Sequence, residues 1–313
     1  MKQKERLHNV KELTLNMSDG ALLYAFIRQP VGKPLGHIHL LHGMAEHIGR
    51  YDTAIEYFIE QGYTVSGHDH RGHGKTAHLN GIKGHFADQD GFNRVVEDTQ
   101  EVISHMKTYQ WPLKFILLGH SMGSFIARRY IQEYGDTIDL VVLSGTGDDS
   151  GFARYAGQII AYTMGKKDGF QEQNELLDSL VFGGFNQGIS NPKTKFDWIS
   201  KNDALVSSYL ADENCGFIPT TQFFVDLFAG LGIIHCKKEI ARIPKNLPIL
   251  LFAGTEDPVG RNGNALWKVA KQYDNAQIKD VTVQLFEGGR HELLSDSTRK
   301  EVIHAVQDWI EKR

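Results

Sequence analysis

The chain has 313 residues, of which 41% are hydrophobic, and a formal net charge of −4 at pH 7. This length and composition allow one large core, or one core with an inserted subdomain, and they exclude a disordered chain. The small negative charge, and the lack of a lysine-rich face with interleaved aromatic residues, argue against nucleic acid as a partner.

Compartment and redox state can be inferred from the N-terminus and the cysteines. Residues 1–6 are charged and lead into no apolar stretch, so we expect no secretory signal. No segment has the apolar length that a bilayer-spanning helix needs, and we therefore expect a cytoplasmic protein. Cys215 and Cys236 show neither C-x-x-C nor metal-ligand spacing, which favours two reduced thiols over a disulfide.

Strand and helix patterns alternate along the first part of the chain. Alternating apolar residues around the turn Ser18-Asp19-Gly20 predict an opening hairpin with strands at 12–16 and 22–27. Further strands are predicted at 37–41, 63–67, 115–118 and 140–143. Apolar residues at helical spacing predict helices at 51–61, at 92–109 and from about 122 to 134. This alternation predicts a parallel α/β sheet with right-handed crossovers.

The alternation stops near Gly145 and resumes a hundred residues later. Residues 147–244 show helical patterns without intervening strands, at 152–164, 176–182, 204–210 and 221–241. Beyond them, strands are predicted at 248–253 and 281–286, and helices at 264–273 and 298–311. We therefore predict an α/β core in two parts, residues 1–146 and 245–313, interrupted by an all-helical cap at 147–244.

Ser121 lies between the predicted strand at 115–118 and the helix that follows, with Gly119 two residues before it and Gly123 two residues after. This matches the nucleophile-elbow motif G-x-S-x-G, in which a tight turn exposes the serine hydroxyl above the sheet edge. The turn strains the serine backbone, and the glycines let strand and helix approach closely. We predict that Ser121 is a nucleophile. The alternative is an ordinary glycine-rich turn.

A serine nucleophile requires a histidine base that is held in the right tautomer by a carboxylate. In elbow hydrolases the acid follows the serine in sequence, and the histidine follows the acid. Asp257 comes after the predicted strand at 248–253, and His291 comes after the strand at 281–286. We predict that Asp257 is the orienting acid and His291 the general base, with activity falling below about pH 6 to 7.

Other residues compete for these two roles. Asp257 precedes a proline and could instead be a turn or helix N-cap residue. The rival acids are Glu256, Asp148 and Asp149. His291 could be a surface loop histidine, and His304, within a helical pattern, is a poorer candidate for the base.

Two backbone donors should stabilise the negative oxygen that forms during acyl transfer. One should be the N–H of Met122, the residue after the nucleophile, and the other should come from the loop after the strand at 37–41. We assign this second donor to Met44. Because only backbone atoms are required at these positions, the two methionine side chains are expected to pack around the substrate.

Many histidines lie in the N-terminal part of the chain, at positions 37, 39, 42, 47, 68, 70, 73, 78 and 85. Clustered histidines can bind a metal, but Asp69 between His68 and His70 fits no zinc pattern. We therefore expect neither a metal nor another cofactor. Asp69, Arg71 and His73 are interpreted instead as cross-braces between the loops under the active site.

Three short runs follow the predicted strands. They are His-Gly-Met-Ala-Glu-His at 42–47 with Arg50-Tyr51 after it, His-Asp-His-Arg-Gly-His-Gly at 68–74, and Gly-His-Ser-Met-Gly at 119–123. They resemble the α/β-hydrolase superfamily, and specifically its monoacylglycerol lipase and lysophospholipase branch, often labelled serine aminopeptidase-like. Asp257 and His291 extend this resemblance to the C-terminal part, and the runs at 196–200 and 215–217 resemble the cap of bacterial members.

The resemblance implies the α/β-hydrolase fold, with a mostly parallel central sheet, helices on both faces and an inserted all-helical cap. It also implies hydrolysis of a carboxylic ester in a lipid-like molecule. On this basis Ser121 attacks, His291 relays the proton and Asp257 orients His291, while Met44 and Met122 hold the oxyanion. The aromatic and aliphatic cap suits an acyl chain and is a candidate for peripheral membrane contact.

Two other functions stay open at this point. A peptidase that releases N-terminal residues would need an acidic patch in the cap, for which the candidates are Asp212, Glu213, Glu172 and Glu175. A ligand-binding protein on an inactive hydrolase fold is the second alternative. Acyl chain length, head group and oligomeric state do not follow from the sequence.

Overall fold

Eight strands form one sheet in the order β1-β2-β4-β3-β5-β6-β7-β8 in the computed structural model, which describes residues 9–109 and 113–313. The strands are β1 Asn9–Asn16, β2 Leu22–Gln29, β3 His37–Leu41, β4 Thr64–His68, β5 Phe115–His120, β6 Leu140–Ser144, β7 Ile249–Gly254 and β8 Val281–Phe286. β1 and β2 form the predicted hairpin, and β2 is antiparallel to β4. The strands from β4 to β8 are parallel, which confirms the mostly parallel sheet.

Helices cover both faces of the sheet, because successive residues of a buried strand point to opposite sides. The described α-helices outside the 147–244 segment are α1 Asp52–Glu60, α2 Gly74–Asn80, α3 Gly91–Lys107, α4 Met122–Tyr134, α10 Asn264–Asn275 and α11 Arg299–Glu311. Residues of α1 and α11 pack with Leu118 and Val142 on one face. Residues of α3, α4 and α10 pack with Leu117 and Val141 on the other.

The segment between β6 and β7 contains five α-helices, and we call residues 147–244 the insert. Its helices are α5 Phe152–Asp168, α6 Glu175–Phe182, α7 Asp203–Ala211, α8 Thr221–Ile234 and α9 Lys237–Ile240. None of the described strands of the sheet lies in the insert, although Gln173 and Thr220 form an isolated bridge. The insert therefore has the helical character that the sequence predicts.

The structure differs from the sequence predictions at two helices. Helix α2 was not predicted, because its buried residues are Gly74, Thr76 and Ala77, which give no apolar periodicity. The single helix predicted at 221–241 is two helices. The chain leaves α8 at His235, whose buried ring lies 2.9 Å from Gln272 Oε1, and Cys236 has an extended backbone before α9 begins.

Both cysteines are free thiols, as predicted. In the described ranges, no helix combines the length and apolar character that are needed to cross a bilayer. The prediction for residues 1–6 concerns positions outside the described ranges.

Candidate active site

Ser121 occupies the sharp turn between the end of β5 at His120 and the start of α4 at Met122. Its backbone has φ +52° and ψ −120°, a region that residues with a side chain rarely adopt and that costs about 1 to 3 kcal/mol. The turn is held by hydrogen bonds from Ser121 N to Ser144 O at 2.9 Å and from Ser124 N to Ser121 O at 2.8 Å. This strained geometry is the elbow that the sequence predicts.

The two glycines of the motif are required by close backbone contacts. A Cβ at Gly119 would lie 2.3 Å from Gly123 O, and a Cβ at Gly123 would lie 2.3 Å from Leu41 O. Both distances are far below van der Waals contact, and the obstructing atoms are backbone that cannot rotate away. The spacing G-x-S-x-G therefore lets α4 pack directly against β5 and the end of β3.

Asp257 and His291 are in direct contact on the loops after β7 and β8. His291 Nδ1 lies 2.9 Å from both carboxylate oxygens of Asp257, and both side chains are buried. Burial disfavours the charged imidazolium, but the negative Asp257 beside it more than offsets this, and the pKa of His291 is raised above 6.5. Asp257 thus fixes the orientation of the ring and favours its protonated form.

The competing residues have other partners. Glu256 is exposed and pairs with Lys201 at 2.6 Å. Asp148 pairs with Arg261 and Lys268, and Asp149 with Arg154. His304 contacts the hydroxyl of Tyr57. Of the candidate acids, only Asp257 contacts His291 among the described residues.

Ser121 and His291 line the same small cavity. His291 Nε2, the nitrogen away from Asp257, is buried and has no hydrogen-bond partner in the described part of the chain, so Ser121 Oγ is not bonded to it. With the Nδ1 proton directed at Asp257, Nε2 is left as the acceptor. Hydrogen bonds between a nucleophile and its base often form only when substrate binds. The arrangement therefore suits a Ser121–His291 hydrogen bond that forms during the reaction.

The loop after β3 approaches the serine closely. A Cβ at Gly43 would lie 3.3 Å from Ser121 Cβ, and the next residue, Met44, lines the cavity with Ser121. Met122 is the first residue of α4, so no carbonyl within the helix accepts its N–H. The structure thus places both predicted oxyanion donors on segments that adjoin Ser121.

A buried ion-pair network, which the sequence analysis missed, connects the two loops around the site. Arg50 donates to both carboxylate oxygens of Glu292 at 2.6 and 2.7 Å and also pairs with Glu46. Glu46 in turn accepts hydrogen bonds from Gly43 N and from the hydroxyl of Tyr51. The network therefore fixes the Gly43–Met44 turn relative to the loop that contains His291.

The charge state of this network follows from its partners. Burial alone would raise the pKa of Glu46, but the positive Arg50 lowers it to about 2, so the side chain is a carboxylate. The signal in the sequence was the Arg50-Tyr51 pair after the 42–47 run, to which we assigned no role. It could not be connected to Glu292, which is distant in sequence.

Most of the N-terminal histidines are buried and hydrogen-bonded to neighbours. His39 Nδ1 lies 2.7 Å from Ser66 Oγ, and His42 Nε2 accepts from His70 N at 2.9 Å. Burial lowers the pKa of His39, His42 and His70 well below 6.5, so these rings are neutral. Their role is to fill the interior next to the sheet.

Of the three residues expected to cross-brace the loops, Asp69 and Arg71 connect separate segments, whereas the hydrogen bond of His73 stays within its own loop. Asp69 accepts hydrogen bonds from Ile48 N at 2.8 Å and from Lys75 N at 2.7 Å. Arg71 pairs with Asp98 of α3 and with Asp19 in the hairpin turn, and His73 Nδ1 bonds to Arg71 O.

Ser121 lies where two cavities meet. The smaller contains Glu46, Asp178 and the ring of His291. The larger, of 530 Å³, extends beneath the insert and is mostly apolar. Its lining includes Met122, Phe125, Phe182, Leu227, Phe228 and Leu231.

A family model described as serine aminopeptidase, S33 matches residues 32–298. The chain belongs to this family of hydrolases. It is 27% identical over 284 residues to the monoacylglycerol lipase of Mycolicibacterium smegmatis, covering 90% of each chain. It is 25% identical to the monoglyceride lipase of Homo sapiens, covering 95% of this chain and 89% of that one.

A solved structure of a carboxyl esterase superimposes closely on this chain. The thermostable carboxyl esterase from Bacillus coagulans, solved in complex with glycerol, superimposes with a TM-score of 0.90 at 28% identity, covering 97% of this chain and 98% of that one. The family match confirms the resemblance predicted from the runs at 42–47, 68–74 and 119–123. The shared architecture confirms the α/β-hydrolase fold.

Proposed function

We propose that this S33 family member is a serine hydrolase that cleaves carboxylic esters of lipid-like substrates through an acyl-serine intermediate. The observation that carries the proposal is the position of Ser121. It sits at an elbow between the cavity that contains the Asp257–His291 pair and a large apolar cavity. The monoacylglycerol lipases and the carboxyl esterase similar to this chain support the substrate class.

In the proposed reaction Ser121 Oγ attacks the ester carbonyl carbon while His291 Nε2 accepts the hydroxyl proton. Asp257 stabilises the imidazolium, and the N–H groups of Met44 and Met122 donate to the carbonyl oxygen as it becomes negative. The C–O bond then breaks, and His291 returns the proton to the leaving alcohol. Water repeats the cycle on the acyl-serine, releasing a carboxylic acid.

The two cavities suggest how the substrate is divided. The apolar cavity of 530 Å³ suits the acyl chain, since burying each methylene contributes about 0.8 kcal/mol. The smaller cavity, with Glu46 and Asp178 on its wall, suits the polar alcohol part. We propose that the insert, residues 147–244, is a cap over both, between core parts at 1–146 and 245–313.

The cap also has an apolar outer surface. Side chains at positions 152, 155, 159 and 162 of α5 recur at helical spacing, and Phe152, Tyr155 and Ile159 are 88%, 60% and 57% exposed. We propose that this face contacts the surface of a membrane or lipid aggregate. Phe152→Ser combined with Ile159→Ser should lower binding to phosphatidylcholine vesicles at least about tenfold. Unchanged vesicle binding would contradict this contact.

The peptidase alternative has less support from the structure. Of the four acidic residues named for it, none lines either cavity at Ser121, and Glu172 faces a different surface pocket. Asp212 pairs with His47. Asp178 is the acid of the insert that lines the smaller cavity and could attract an amino terminus there.

The proposed function is tested with two substrate series. p-Nitrophenyl esters of increasing chain length should be hydrolysed, whereas aminoacyl p-nitroanilides should not. Ser121→Ala should abolish ester turnover and labelling by a fluorophosphonate probe, with an unchanged circular dichroism spectrum. Turnover by this variant would remove Ser121 from its role, and a wild-type protein that neither turns over esters nor reacts with the probe would favour the ligand-binding alternative. The cytoplasmic location stays a prediction, to be tested by cell fractionation.

A further inference from the structure

Three side chains of metal-ligand type meet outside the lining of the two cavities at Ser121. The ligand atoms of His47, Asp212 and Cys215 all lie within 4.8 Å of one another, and His47 Nε2 is 2.8 Å from Asp212 Oδ2. His47 belongs to the loop after β3. Asp212 and Cys215 belong to the insert, directly after α7. The cluster therefore joins two parts of the chain that are 165 residues apart in sequence.

The backbone of the insert presents its two ligands together. Cys215 N donates to Asp212 O at 3.0 Å, which closes a tight turn. Asp212 Oδ1 accepts from Asn214 N at 2.8 Å, so Oδ2 is the oxygen directed at His47. The turn thus holds one carboxylate oxygen and the thiol on the same side as the imidazole.

The donor set selects the kind of ion. Imidazole, carboxylate and thiolate are the ligands that Zn²⁺ takes in tetrahedral sites, whereas Mg²⁺ and Ca²⁺ require oxygen ligands. Three protein ligands leave the fourth position to water. His47 and Asp212 are 21% and 32% exposed, so a hydrated ion can reach them from solvent.

The surrounding charges favour a cation. The positive charge of Arg50 interacts electrostatically with Asp212 and Cys215, but two carboxylate side chains, Glu46 and Glu292, already pair with it. Asp212 adds a further negative charge. Burial raises the pKa of the Cys215 thiol, so binding requires the ion to displace the thiol proton to solvent.

We propose that His47, Asp212 and Cys215 form a Zn²⁺ site that connects the insert to the loop after β3. The sequence analysis predicted that none of the N-terminal histidines binds a metal, and this proposal revises that prediction for His47. It would reinforce existing contacts, because Gly216 N and the hydroxyl of Tyr209 both donate to Ala45 O, at 2.9 and 3.0 Å. Ala45 follows Met44, so the bound ion would fix the insert against the loop beside Ser121.

The test uses the full-length protein after treatment with a chelator. Calorimetric titration with ZnCl₂ should show one ion per chain, and the ion should raise Tm because it binds the folded state. Asp212→Asn and Cys215→Ser should each weaken zinc binding at least about 100-fold. Losing a residue that only hydrogen-bonds to a metal ligand already weakens binding by up to about 100-fold, and losing a ligand itself should cost at least as much. Cys236→Ser, at the exposed second cysteine, should leave binding unchanged.

Substitution by Co²⁺ gives a second readout, since a bound thiolate produces charge-transfer absorption that Cys215→Ser should remove. A wild-type protein that binds no zinc at micromolar concentration overturns the site, as does full-affinity binding by folded Asp212→Asn or Cys215→Ser. Circular dichroism and Tm, both measured without metal, establish that the variants fold. If Cys215→Ser does not fold, Asp212→Asn, which keeps the shape of the side chain, decides the test of the zinc site. Because no readout uses ester turnover, the result is independent of the proposed function.

Discussion

His291 is buried, yet negative charge surrounds it. Asp257 contacts its ring directly, and Glu292 and Glu46 add to the potential that raises the pKa of His291 above 6.5. As the proposed base, His291 must be neutral to accept a proton from Ser121, and its raised pKa keeps the inactive imidazolium populated to higher pH than for an ordinary histidine. We expect kcat/KM to fall as the pH drops through a value above 6.5. The measurement is a pH profile of kcat/KM with a neutral ester.

Two variants test if the fall in kcat/KM at low pH, the acid limb of the profile, is caused by titration of His291. Asp257→Asn removes the main charge that raises the pKa, so the limb should move to lower pH while kcat falls on the order of 10⁴-fold. His304→Gln changes a histidine on α11 that contacts Tyr57 and should not move the limb. A limb that Asp257→Asn leaves in place would show that another group titrates.

Arg50 is the only cation among the described residues that pairs with both Glu46 and Glu292. Its replacement by methionine would leave two buried carboxyl groups beside each other without a counter-charge. We expect Arg50→Met to lower the free energy of unfolding by about 3 to 5 kcal/mol, as measured by urea unfolding. Arg242→Met, in an exposed ion pair, should change it little. Equal effects of the two substitutions would contradict a structural role for the buried network.

At the scale of elements, the close packing of α4 against β5 and the end of β3 requires glycine at positions 119 and 123. Gly123→Ala would place a Cβ 2.3 Å from Leu41 O, so α4 must move away from β3 and displace Ser121. We expect a loss of unfolding free energy of about 1 to 3 kcal/mol and a lower kcat. Gly188→Ala is the matched control, because a Cβ there meets nothing within 4 Å. A Gly123→Ala enzyme with wild-type kcat and stability would show that the close approach is not required.

The order of strands and helices was predictable because buried parallel strands are continuous apolar runs, such as Leu140–Ser144. The elbow was predictable because its glycine spacing follows from a local steric requirement. Helix α2 was not, since Thr76 is held by a side-chain bond to Asp69 O rather than by an apolar face. The break after α8 depends on a pocket for the ring of His235, which only tertiary structure provides.

Contacts across the sequence mark the limit of prediction for the site. Asp257 and His291 could be paired because the end of each strand is visible in the sequence and parallel strands end at one edge. The pairing of Arg50 with Glu292 and of His47 with Asp212 joins segments 242 and 165 residues apart in sequence, and no local pattern specifies it. The insert is therefore least predictable where it contacts the core.

At the scale of the whole molecule, the apolar cavity is formed jointly by core and insert. Met122 and Phe125 belong to α4 of the core, whereas Ala156 and Leu231 belong to α5 and α8 of the insert. Neither part encloses the cavity alone. In the proposed function, the position of the insert limits the length of acyl chain that fits beside Ser121. Substitutions in the insert should therefore change substrate preference without altering the catalytic residues.

This dependence gives a prediction on chain length. In the wild-type enzyme kcat/KM should rise with each methylene by at most about fourfold, the equivalent of about 0.8 kcal/mol, until the cavity is filled. Ala156→Phe places a ring in the cavity, so the rise should end at a shorter chain, with kcat/KM for the acetate ester unchanged. Gln158→Phe, on the same helix but outside the cavity lining, should keep the wild-type profile. If Ala156→Phe also keeps the wild-type chain-length profile, the acyl chain binds outside this cavity, because a ring inside the cavity would exclude the longer esters first.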